Sequence, residues 1–120
     1  MPAPTDSQLK SYYEHMPLVY KRIMQEFLYK DQQPLIYRKG RQLTYSSIEK
    51  LLTQADDKII PGDTDFALDQ LVEHGLLNEH EEPILCYSLT ELGEQLLKAF
   101  YSPKVVDRWI PALPEFSWAS

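Results

Sequence analysis

Long apolar runs are missing from this 120-residue chain, and none approaches the roughly 20 residues that cross a bilayer as a helix. One cysteine, Cys86, excludes an internal disulfide and fits a reducing compartment. The four glycines, Gly40, Gly62, Gly75 and Gly93, stand too far apart to build a phosphate-cradling loop. The opening residues 1–8 have neither a basic n-region nor an apolar h-region, so no secretory leader and a cytoplasmic address are expected. Positive charge is the scarcest commodity in one region. Residues 59–101 contain a single base, Lys98, against nine acids.

What is present is ordinary for one globular domain spanning 1–120: 43% hydrophobic and 25% charged residues. The formal net charge of −6 hides its distribution. Residues 1–58 carry nine bases and seven acids, and 102–120 are balanced, so the acidity lies almost wholly in 59–101.

Thr5 and Gln8 have capping-box spacing and predict a helix to about Glu14. Pro17 suits the first turn of a second helix, whose apolar set runs from Leu18 to about Tyr29. "LIYR" and "RQLT" flank a Lys39-Gly40 turn and predict a small hairpin. Thr44 can cap a helix with Ile48, Leu51 and Leu52 on its inner face and Ala55 at its end. "DDKIIPGDT" reads as a loop, followed by a helix over 65–74 capped by Asp63 or Thr64 and stopped by Gly75. "LLN" and "ILCYSL" are two short strands about the turn "EHEEP". Thr90 then caps a helix with Leu92, Leu96, Leu97 and Phe100 inward. Gly93 inside that helix costs about 1 kcal/mol relative to alanine, which implies a close neighbour. Ser102-Pro103 can start one further helical turn.

The stretch "ALDQLVEHGLL…YSLTELGEQLL" carries Leu68, Leu71, Gly75 and Leu76, then Tyr87, Leu89, Thr90 and Gly93. Over residues 43–100 this resembles the second half of bacterial winged helix-turn-helix regulators of the MarR and PadR types. The resemblance implies an α+β winged helix-turn-helix with extra N-terminal helices. Its core would span about 17–101, and 102–120 would form a short aromatic extension. It also implies a dimeric transcriptional regulator that binds duplex DNA.

The charge departs from that pattern. Asp65, Asp69 and Glu73 recur at i, i+4 and i+8, one stripe of a helix. The wing turn adds Glu79, His80, Glu81 and Glu82, where the family places a base. DNA affinity comes largely from lysine and arginine at phosphates, so these carboxylates oppose it. The expected role is an acidic docking face for a protein partner with a basic surface, the alternative being a merely solvated face. If duplex DNA is bound instead, the candidate contacts are Tyr37, Arg38, Lys39, Arg41 and Lys50, with Thr64 and Gln70 on the reading helix and Asn78 beside them.

Enzymatic readings are thin. Cys86 sits mid-strand as a small apolar residue would. His15, His74 and His80 lack metal-site spacing, although His74 and His80 could meet near Glu79. No catalytic residue, metal or cofactor is expected. At the ends, Tyr12 and Tyr13, with Trp109, Ile110, Phe116 and Trp118, are more apolar than a solvated tail. They are expected to pack against a second copy in a homodimer or to close the monomer's own core.

Overall fold

The computed structural model describes residues 4–30, 33–55 and 59–106 as a mixed α+β domain. It opens with α1 (Asp6–Glu14) and α2 (Leu18–Gln25). The reciprocal Thr5–Gln8 capping box starts α1, as its spacing predicts. Pro17 is the N-cap of α2 rather than its first helical residue, and α2 ends at Gln25, about a turn earlier than its apolar set suggests.

Strands β1 (Ile36–Arg38) and β2 (Gln42–Thr44) follow, then α3 (Tyr45–Ala55) and α4 (Pro61–Glu73). Next come β3 (Leu77–His80), β4 (Cys86–Leu89), α5 (Glu91–Tyr101) and β5 (Lys104–Val106). The expected hairpin over 35–44 is corrected here. Arg41 N–H closes the turn on the Arg38 carbonyl at 3.2 Å, but the strands then part. β1 pairs in parallel with β5, while β2 joins an antiparallel sheet of order β2-β4-β3. A local turn signal does not reveal which strand offers the better tertiary partner.

The Ser102-Pro103 expectation is corrected as well. Ser102 takes a left-handed conformation (φ 49°) that ends α5, and the chain returns as β5 beside β1. α4 begins at Pro61, so the last four residues of the expected loop form its first turn. Ile60 is the N-cap, and Thr64, expected to cap, is turned wholly inward. Its hydroxyl makes no hydrogen bond among the described residues. An unmet buried hydroxyl costs about 1–3 kcal/mol. Thr64→Val, which keeps the shape, is therefore expected to raise stability by about 1 kcal/mol in urea melts. A loss of that size would show that the hydroxyl is bonded after all.

The core runs through Tyr13, Ile23, Met24, Phe27, Ile48, Leu52, Leu68, Leu71, Leu77 and Leu96, so every helix contributes to it. Leu51 and Phe100, expected inward, are exposed. α4 ends through Gly75, whose φ of 78° is a conformation open to glycine at little cost. α5 then docks on this corner. Thr90 donates through its backbone N–H to the Leu76 carbonyl at 3.1 Å and through Oγ1 to the Gly75 carbonyl at 2.5 Å. The same hydroxyl oxygen accepts from Gly93 N–H at 3.0 Å and caps α5. Gly93 lies against the Leu76 carbonyl so closely that a Cβ there would stand 2.3 Å from the oxygen. This is the close neighbour that its place in a helix implies.

Candidate functional site

α4 points Thr64, Ala67, Leu68 and Leu71 into the core. Helical geometry then puts Gly62, Phe66, Asp69 and Glu73 on the opposite side, with Asp65 on its flank. All of these are exposed, as are Glu79, Glu81 and Glu82 on the β3–β4 hairpin. No lysine or arginine occurs between residues 59 and 97.

Three of the six expected acids share one hollow. Asp65 and Asp69 from α4 and Glu79 from β3 line a space of about 320 Å³, with Tyr45, Leu85 and Tyr87 completing its wall. Glu73, Glu81 and Glu82 lie outside it, and Glu73 accepts from Gln70 Nε2 at 3.3 Å. The tyrosines hold the carboxylates in place. Tyr87 is buried and donates to Glu79 Oε1 at 3.0 Å, and the Tyr45 hydroxyl donates to Asp65.

Electrostatics report the same crowding of negative charge. Burial, then Glu79, Asp69 and Asp65, raise the Tyr87 pKa well above the ordinary phenol value. For Tyr45 the bond to Asp65 is the main cause, with burial and Glu49 adding to it. Elsewhere, burial together with Tyr101 raises Tyr13, and burial together with Glu94 raises Tyr37. Folding thus favours the neutral phenol at four of the eight tyrosines. The stability they contribute is complete below pH about 10 and is lost as pH rises beyond it. In an alkaline titration followed by tyrosinate absorbance, part of the signal should appear only as the domain unfolds. A single transition of all eight near pH 10 would contradict this.

The residues expected at nucleic acid do not form one surface. Tyr37 is 2% exposed, with its hydroxyl bonded to Glu94 Oε2 at 2.8 Å, and Thr64 is 0% exposed. Both are corrected to interior positions, because β1 is drawn into the core by β5 and α4 starts a turn early. Gln70 is engaged with Glu73. Arg41 lies over the Tyr29 ring, 4.1 Å from its centroid. Arg38 is half-buried, and Lys39 and Lys50 are exposed.

Tyr13, expected at a dimer or tail contact, packs within its own chain. Its ring meets Phe100 at 4.5 Å and Tyr101 at 5.4 Å, and its hydroxyl meets that of Tyr101 at 2.6 Å. Tyr12 is exposed beside a second, mainly apolar hollow of about 400 Å³ between α1 and α5, which His74 also lines. Trp109, Ile110, Phe116 and Trp118 lie outside the described residues.

His80 Nε2 is 3.0 Å from Ser88 Oγ, and His74 lines the hollow beside α1. Among the described residues no cluster of three His, Cys, Asp or Glu side chains is placed to hold a metal ion. No helix among them is long and apolar enough to cross a membrane. Cys86 is buried, with its Sγ 3.8 Å from Gln42 Oε1.

Sequence reading does not single out Phe66, which is 61% exposed in the middle of the acidic face. The signal was available, since Phe66 shares a stripe with Asp69 and Glu73 at i+3 and i+7. Tyr45 and Tyr87, which organise the hollow, carry no such signal. No protein-family model matches this chain, and no curated protein or solved structure matches it either.

Proposed function

We propose that this is a non-enzymatic regulatory or adaptor domain of the winged helix-turn-helix type. In this reading, α3 and α4 are the helix-turn-helix and the β3–β4 hairpin is the wing. The element order β2–α3–α4–β3–β4 and the β2-β4-β3 sheet support that assignment. The face that such domains lay on DNA serves here as a docking surface for a protein partner with a basic surface.

One observation carries the functional reading. The solvent side of α4 and the adjacent hairpin expose Asp65, Asp69, Glu73, Glu79, Glu81 and Glu82 and not one lysine or arginine. Duplex DNA presents a negative charge about every 1.7 Å along its axis. Like charges 4 Å apart in water repel by about 1 kcal/mol, so laying this face on a duplex would cost several kcal/mol. The same field attracts a cationic protein, speeds encounter and makes binding fall with salt.

Duplex binding through Arg38, Lys39, Arg41 and Lys50 is the competing reading, but two of its candidate contacts, Tyr37 and Thr64, are buried. Titration with oligo-lysine at rising salt tests the docking reading. Binding at about 50 mM salt that weakens steeply as salt rises is expected. No binding there, or binding indifferent to salt, would contradict it.

A further inference from the structure

A solvated acidic face explains carboxylates, but it does not explain a phenylalanine at its centre. Phe66 stands opposite the buried positions of α4, flanked by Asp65, Asp69 and Glu73, and is 61% exposed. Ile84, next to Leu85 on the wall of the acidic hollow, is 63% exposed. Protein interfaces are commonly built this way, with a few large apolar anchors inside a charged rim.

We propose that Phe66 is the anchor of this face, and that its occupant is a protein offering an apolar slot rimmed by lysine or arginine. α4 would lie along that slot as a ligand helix does. A cationic side chain from the rim would enter the hollow between Tyr45 and Tyr87, against Asp65, Asp69 and Glu79. Charge selects among the occupants. A second copy docking through the same face would set six carboxylates against six. Nucleic acid and anionic lipid are repelled likewise. A basic protein surface meets both the charge and the ring.

This inference rests on the docking reading above, and the experiment separates the two. The probes are two synthetic peptides of equal length and equal lysine number, one spaced with glycine and serine, the other with leucine in an amphipathic helical pattern. Both are titrated calorimetrically into the full chain. The leucine peptide is expected to bind about ten-fold more tightly. Phe66→Ser should remove that preference while leaving the glycine peptide unaffected. The domain should stay folded, because the ring is largely outside the core. Equal binding of both peptides, or a preference that survives Phe66→Ser, overturns the anchor and leaves the acidic docking face standing. A preference abolished by Tyr12→Ser overturns it too, since the apolar peptide would then be in the hollow beside α1. Failure of both peptides to bind overturns the docking reading itself.

Discussion

Gly93→Ala is expected to destabilise the domain by about 2–3 kcal/mol, although alanine is the better helix former by about 1 kcal/mol. Intrinsic propensity and packing therefore predict opposite signs, and the magnitudes decide between them. The new Cβ would stand 2.3 Å from the Leu76 carbonyl oxygen and 3.2 Å from a Leu89 methyl. A methyl can yield by a rotamer change, but a backbone oxygen can move only with its chain. That oxygen already accepts from Thr90 N–H, in the corner where Thr90 Oγ1 meets both Gly75 and Gly93. Making room for a methyl therefore pushes α5 off the α4–β3 corner and strains these bonds together. For a domain of this size the loss corresponds to a fall of roughly 10 °C in Tm. A variant as stable as the parent would mean that α5 does not approach the corner this closely.

Asp69→Lys combined with Glu73→Lys is expected to weaken oligo-lysine binding by about 10- to 100-fold at low salt. Each reversal removes an attraction and adds a repulsion, at roughly 1 kcal/mol for each close charge pair in water. The salt dependence should flatten at the same time, because fewer charge contacts remain to be screened. Both side chains are exposed, so stability should stay within about 0.5 kcal/mol of the parent. That control separates a lost docking face from a lost fold. Unchanged affinity in a folded variant would remove α4 from the interface.

Parts of this molecule could be read directly from the chain. The Thr5–Gln8 box, the Thr44 and Thr90 caps and the Gly75 stop are local chemistry, and each sits where its spacing puts it. Gly93 was legible by contradiction, as a poor helix former kept for a close neighbour. What local reading missed depends on distant partners. β1 looks like half of a hairpin until β5 arrives from some 70 residues away to pair with it. Pro61 resembles loop punctuation, yet the first turn of a helix tolerates proline, so α4 starts early and Thr64 turns inward.

The candidate site divides along the same line. Its acidic stripe follows from helical periodicity. The gathering of Asp65, Asp69 and Glu79 around one hollow depends on how the hairpin folds back towards α4. Counting charges also draws attention away from Phe66, the uncharged member of the stripe.

The central claim is that α4 and the β3–β4 hairpin face a cation rather than a polyanion. Its most direct test is a side-by-side titration of the intact chain at about 50 mM salt with labelled random duplex DNA and with labelled oligo-lysine. The account predicts saturable binding of oligo-lysine and none of the duplex. Micromolar binding of the duplex with a steep salt slope, and none of oligo-lysine, would contradict it.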